Sequence, residues 1–320
     1  MNWQAFLNVA FVAGLFASSF RVATPLLLAA LGETFTERAG ILNIGVEGLM
    51  IVGALAGFMG SYYSGSPWIG ALSALIAGAI FACLHAYLSA VLGADQIVSG
   101  LATNLLALGL AVFTFRAAFG IPAVDPKAAT FNLVNLPGLT KIPFIGEVFF
   151  HQHIWVYLAW LLVPVCYFIV FRTSWGLKIT AVGENPLTAE TAGINVQATR
   201  FLAVIVGGAL AGLGGMTLTL TQLGFFKEAM VAGRGFIAIT IVMFGAWNPL
   251  GVLGASILFG IADALQLRLQ TIGLTSVIPP PIFGKPPLPA YDYRAVYQRP
   301  KRQDPGCFYR PVCQAGKAED

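Results

Sequence analysis

The stretch GLMIVGALAGFMGSYYSGSPWIGALSALIAGAIFACLHAYLSAVLGA, residues 48–94, runs from Glu47 to Asp95 without a formal charge. A helix needs about 20 mostly apolar residues to cross a bilayer. The run is therefore long enough for two spans, divided at Ser64-Gly65-Ser66-Pro67. Working outward, residues 1–20 are also uncharged, and further apolar stretches occupy the interval from Asp95 to Arg116 and residues 148–171, 201–226 and 235–262. The turn Asn248-Pro249-Leu250-Gly251 divides the last of these, and the final helix ends near Arg268. Residues 18–32 add a short segment. The sum is eight spans, or nine when residues 3–16 cross separately. The predicted fold class is all-α: a polytopic membrane protein of about 8–9 transmembrane helices.

Composition supports this. Of 320 residues, 57% are hydrophobic and 10% charged, with a mean hydropathy of +0.78. Soluble domains carry roughly 25% charged residues, so an ordinary soluble enzyme and a disordered chain are both excluded. The formal charge of +4 forms no basic patch with interleaved aromatics, and no nucleic-acid partner is expected. Cys83 and Cys166 lie in apolar runs, and Cys307 and Cys313 lie near the C-terminus. None has zinc-ligand or disulfide-framework spacing. The N-terminus has no Lys or Arg before Arg21 and no small-residue cleavage site, so it reads as retained.

Two connections are long and polar. Residues 118–152 contain Pro122, Pro126, Pro137 and Pro143, with Lys127 and Lys141. Residues 173–199, flanked by Arg172 and Arg200, contain Lys178, Glu184 and Glu190. Lys and Arg beside spans favour the cytoplasmic side, which places 173–199 and Arg38 inside and 118–152 outside. GALAG at Gly53–Gly57 recurs at Gly208–Gly212. The recurrence reads either as a trace of duplicated halves or as ordinary small-residue helix packing.

Two segments are more informative. LGETFTERAGILNIGVEG, residues 31–48, lies between apolar spans and is itself half apolar, with Asn43 and several glycines. It suits a broken or re-entrant helix near 33–48, which is tolerated at membrane depth only where protein or a water-filled cavity satisfies the backbone. A plain turn with capping glycines is the alternative. VGENPLTAETAGINV, residues 182–196, offers Asn185 as a helix cap, Pro186 at the first helical position and Gly193 as a left-handed stop. The short capped helix between them suits docking into a groove on a partner, or is an ordinary loop helix.

Both segments resemble those of permease subunits of bacterial ABC importers in the ribose/branched-chain amino acid superfamily. The first is most similar to the nucleoside-importer permeases. The second resembles the coupling helix that seats on the ATPase subunit. GGALAGLGGM at 207–216, GRGFIAI at 233–239 and FGAWNP at 244–249 also match, so the resemblance covers residues 15–270 in order. It implies a permease subunit of the cytoplasmic (inner) membrane, with an ABC ATPase, a second permease and an extracytoplasmic binding protein as partners and a small molecule as substrate. The ATPase-coupling residues it implies are Gly183, Glu184, Asn185, Pro186, Ala189, Gly193, Ile194 and Asn195.

The chain has no Walker A motif and no Ser/His/Asp arrangement. No catalytic residue, cofactor or metal is expected, and ATP must be hydrolysed elsewhere. His85 on its span reads as a helix–helix hydrogen-bond group. Polar groups within spans are expensive and are candidates for a translocation path. These are Asn43, Glu47, Asn104, Thr217, Thr221, Gln222 and Phe225; singly, each also fits an interhelical hydrogen bond. The leading expectation is a nucleoside ABC permease working by alternating access. A simple-sugar ABC permease is the nearest variant. An ion-coupled secondary transporter and a membrane scaffold are the other classes. Ion coupling usually leaves carboxylates inside spans, and the span interiors here are read as lacking them.

Residues 1–270 thus form the membrane domain, and 271–320 a tail unlike the rest. From Pro279 the last 42 residues hold nine of the 18 prolines and seven of the 18 Lys and Arg. No span forms there, because proline breaks the helical hydrogen-bond ladder. A shift of reading frame near Ile278–Pro281 accounts for this. The next frame permits FLANLPYLLTIIALFISV, close to the length a span needs, followed by a basic stretch that resembles the tail of the nucleoside permeases. A genuine Pro-rich tail is the alternative.

Overall fold

A computed structural model describes residues 9–122, 124–135 and 145–271. Pro137, Lys141, Pro143 and the tail, with Cys307 and Cys313, lie outside the described residues. The helices are α1 (Val9–Arg38), α2 (Val46–Ser64), α3 (Pro67–Ala86), α4 (Gln96–Phe119), α5 (Ile145–Phe149), α6 (Ile154–Arg172), α7 (Ser174–Glu184), α8 (Pro186–Thr191), α9 (Val196–Thr217), α10 (Arg234–Phe244) and α11 (Pro249–Thr271). Helices α3 and α9 each continue as a wider π-type turn, Tyr87–Val91 and Leu218–Leu223. Two three-residue strands, β1 (Leu133–Asn135) and β2 (His151–His153), pair antiparallel with Leu133 opposite His153.

Seven described helices are long and apolar enough to cross a membrane: α1, α2, α3, α4, α6, α9 and α11. The eighth apolar helix, α10, has only 11 residues. Residues 9–38 form one helix where the charge pattern suggested a division near residue 17. Pro25 sits inside it, and a proline removes the hydrogen bond to the carbonyl four residues earlier. That carbonyl, Arg21 O, accepts from Gln222 Nε2 at 3.1 Å. A distant side chain therefore replaces the bond that proline forfeits.

Helix α9 is the central post, touching α1, α2 and α3. Lipid offers no hydrophobic drive between helices, so close backbone approach through small residues holds them together. A methyl group on Gly212 would lie 2.5 Å from the Ala74 carbonyl oxygen, leaving no room for any side chain. The two GALAG stretches meet here, with Gly53 of α2 backed against the Gly212 backbone. Their likeness has a packing reason.

The bundle has two ends. At one, Ser61 Oγ donates to Ala129 O (2.6 Å), Ala128 N to Gly224 O (3.0 Å) and Phe131 N to Leu220 O (2.9 Å). His153 Nδ1 lies 3.0 Å from Phe131 O, and burial holds its imidazole below the usual histidine range. At the other end, Arg38 reaches Thr180, and Arg200 reaches Ala39. The long loop 118–152 and the loop 173–199 therefore occupy opposite ends.

Candidate functional site

The helix break is shorter than the sequence suggests. Residues 33–38 remain in α1, and only 39–45 leave the helix, beginning with Gly40 at φ 78°. Backbone groups inside a membrane protein must find partners, and here they are side chains from other elements. Arg200 Nε donates to Ala39 O at 3.1 Å, and Gln96 Oε1 accepts from Leu42 N at 2.9 Å. The Leu42 carbonyl is bonded by His85, which also lies within 3.4 Å of Ser89 and 3.3 Å of Ser99. Glu33 Oε1 accepts from Asn43 N at 2.9 Å. Asn104 closes the break: its Nδ2 donates to Ile44 O at 2.8 Å, and its Oδ1 accepts from Gly48 N at 2.6 Å. Asn43 Oδ1 accepts from Gly45 N at 3.0 Å, and the residue is wholly buried.

A second break surrounds α10. After Leu223 the chain turns back into the bundle without helix, and Phe226 packs against Phe58 and Phe115, at 6.5 and 5.2 Å between ring centroids. Helix α10 covers the remaining distance, roughly 16 Å at 1.5 Å per residue. Glu47 caps its start, with Oε1 accepting from Gly233 N at 2.8 Å and Oε2 from Gly235 N at 2.7 Å. A carboxylate there also meets the positive end of the helix dipole. At the far end, Trp247 Nε1 donates to Glu37 Oε2 at 2.6 Å, and Arg38 Nε donates to Trp247 O at 2.8 Å.

One span interior therefore does hold a carboxylate, Glu33, which corrects that part of the sequence reading, while Glu37 and Glu47 lie at span ends. Glu33 is 1% exposed, and Glu37 and Glu47 are half-buried. Their charges made residues 33–37 look like loop. One signal was available: Glu33 and Glu37 stand one turn apart, on one face of a helix. Arg200 and Trp247 were missed because their partners lie 161 and 210 residues away.

The loop 173–199 folds as α7 and α8. Asn185 Oδ1 accepts from Thr188 N at 3.1 Å, and Asn195 Oδ1 from Ala198 N at 2.9 Å, so both cap helices. Gly193 adopts φ 80° with open space around it. Ala189 is buried against Val182 and Val196, with Ile194 beside them. Most of α8, including Leu187 and Thr188, is exposed, as is Glu184 just before it. Gly183 sits directly against the Arg38 carbonyl, with no space for a side chain. Arg38 Nη1 donates to Thr180 Oγ1 at 3.2 Å, and its guanidinium lies 4.5 Å from the Phe171 ring centroid. The exposed helix thus stands on a rigid connection to the end of α1.

The path candidates make hydrogen bonds in different parts of the bundle. Asn43 and Asn104 hold the first break, and Glu47 holds the second. Thr217 donates to Gly214 O at 2.7 Å, and Thr221 donates to Thr217 O, both within their own helix. Gln222 serves the Pro25 gap. Phe225 is half-buried, and its neighbour Phe226 takes the place in the aromatic cluster.

Residues 15–281 match the family described as the branched-chain amino acid transport system permease component. The chain belongs to that family. It is similar to the guanosine ABC transporter permease protein NupQ of Bacillus subtilis, with 40% identity over 80% of this chain and 83% of the relative. A putative glucose ABC transporter permease protein, TsgC13 of Haloferax volcanii, is 42% identical over 83% of this chain and 80% of its own. The nucleoside ABC transporter permease protein NupC of Lactococcus lactis is 37% identical over 77% and 79%. No solved structure matches. The chain is therefore a multi-pass permease component of the cytoplasmic membrane, part of a multi-subunit transport system rather than an enzyme.

Proposed function

We propose that the chain is the membrane subunit of an ABC importer for nucleosides, with ATP hydrolysed by a partner docked on α8. The observation that carries the coupling is the exposed, doubly capped α8 joined to α1 through Gly183 and the Arg38–Thr180 bond. The nucleoside assignment rests on the two relatives named for guanosine and nucleoside transport. Residues 173–199 then face the cytoplasm and 118–152 the exterior, where a binding protein delivers substrate. A second permease completes the path, and movement of α8 shifts the bundle between inward- and outward-open states.

A sugar substrate is the second reading, favoured by the 42% identity to a putative glucose permease. The test is uptake of labelled guanosine and labelled glucose by cells expressing the complete transporter, with and without a Walker A mutation in the ATPase. ATP-dependent guanosine uptake that excess glucose leaves unchanged supports the proposal. Glucose uptake alone favours the sugar reading. Uptake by this chain alone in proteoliposomes under an ion gradient would overturn the ABC reading.

A further inference from the structure

Helix α10 differs from every other apolar helix described in having non-glycine residues with left-handed backbone at both ends. Before it stand Ala232 at φ 49° and Gly233 at φ 84°; after it stand Ala246 at φ 51° and Trp247 at φ 54°. Three of these four are not glycine. L-residues adopt such angles at a cost and keep them only where surroundings enforce them. The surroundings here are specific. Glu47 receives two backbone N–H groups at the upper end, and Glu37 and Arg38 hold the Trp247 indole and carbonyl at the lower end. Both clasps come from α1 and α2, the helices that flank the first break.

The body of α10 packs through one narrow face of Gly235, Ala238, Ile241 and Val242, whereas Phe236, Met243 and Phe244 are exposed. The segment leading into it is tied to α4 by the ion pair Arg116–Glu228 (2.8 Å), whose side chains are both about half exposed. That ion pair is one that water can replace. The lower clasp also has a direct link to the coupling loop: one guanidinium, that of Arg38, donates to Thr180 of α7 and to the carbonyl of Trp247. Displacing α7 must therefore strain or release the lower end of α10.

We propose that α10 is a rigid gate, hinged at residues 232–233 and 246–247, and that Glu47 and Glu37 are the positioning residues that hold it closed. This rests on α8 being the ATPase dock. Hinges of lids and gates are a few residues at element ends that absorb the backbone change, and both hinges have that placement.

The test uses the full chain reconstituted with its transporter partners in nanodiscs, with native cysteines replaced by alanine. Met230→Cys, buried beside the upper hinge, is labelled with a maleimide in the nucleotide-free and the ATP–vanadate states. Ser73→Cys, at the α2–α3 contact, serves as the fixed reference. Labelling at 230 is expected to change about fivefold between states while the reference changes less than about twofold. Trp247→Phe keeps an aromatic ring and removes the indole donor to Glu37; it is expected to raise resting-state labelling at 230. Glu47→Ala should keep ATP hydrolysis while lowering guanosine uptake about tenfold, and Glu47→Asp should restore part of it. ATP-driven uptake with unchanged labelling at 230 overturns the gate. Labelling that responds to guanosine but ignores ATP keeps the gate and overturns the α8 reading.

Discussion

Asn104→Ala separates a structural role for the span polar residues from a path-lining one. The amide of Asn104 is the partner of two backbone groups, Gly48 N–H at 2.6 Å and Ile44 C=O at 2.8 Å. Truncation leaves both unpaired. An unsatisfied buried polar group costs about 1–3 kcal/mol, so the sum is about 2–6 kcal/mol. Interhelical hydrogen bonds in membranes average only about 0.6 kcal/mol, because the unfolded chain in lipid finds other partners. That discount works in the opposite direction here. In the unfolded helix residues 44–48 satisfy themselves by becoming helical, so the full penalty falls on the native state. Alanine also relieves the unfolded span of an unpaired amide. A water entering the space left by the side chain recovers part of the loss, and about 2–4 kcal/mol is expected. The assay is unfolding by SDS titration in mixed micelles, with Thr221→Ala as control, since that hydroxyl bonds only within its own helix. Uptake at a permissive temperature should show fewer active molecules and an unchanged KM. Destabilisation below about 0.5 kcal/mol together with a raised KM would refute the reasoning and return Asn104 to the path.

Gly193→Val places a β-branched residue at φ 80° in open space; it should cost about 1–2 kcal/mol locally and uncouple ATP hydrolysis from uptake, and wild-type uptake would count against the α8 assignment. Gly212→Val drives a side chain into the Ala74 carbonyl and should abolish a monodisperse detergent-extracted protein on size exclusion, well beyond the usual overpacking cost of about 1–3 kcal/mol. Arg116→Ala removes an ion pair whose partners are both half exposed; its effect on the SDS unfolding midpoint should correspond to no more than about 1 kcal/mol. For the tail we propose the change of frame near Ile278–Pro281, supported by a family match that ends at residue 281. The coding sequence tests it: codons incompatible with FLANLPYLLTIIALFISV end the idea. Restoring that frame should raise membrane abundance and uptake.

The spans were legible because lipid leaves the backbone one local solution, and an apolar run without charge announces it. The short capped helix α8 was legible for the same local reason: Asn185, Pro186 and Gly193 act on neighbouring residues. The breaks were only half legible. Gly40, Asn43 and Gly45 indicate that the helix stops, but what makes the stop tolerable lies far along the chain, at Gln96, Asn104 and Arg200. The charges of Glu33 and Glu37 read as loop because loops are where charge is cheapest. Their true partners, the Asn43 amide and the Trp247 indole, are set by tertiary packing. Similarly the bond from Gln222 to Arg21 O, which Pro25 leaves without its helical donor, joins residues 201 apart.

The polar residues of the spans therefore fall into two groups that differ in what their loss would expose. Thr24, Thr34 and Ser256 donate to carbonyls of their own helices. Those carbonyls retain a backbone partner when the hydroxyl is removed, so these sites should tolerate alanine. Glu33, Gln96, Asn104 and Glu47 instead hold N–H groups at breaks and helix starts, which have no helical partner. Uninterrupted helices would spare the molecule all four. The breaks are costly to hold together, and a bundle that only had to be stable would lack them. They are placed around α1, α2 and α10, and Arg38 connects that same group to α7. The energetic burden of the fold is concentrated at the proposed gate, because a helix that is already interrupted can pivot there without giving up hydrogen bonds it never had.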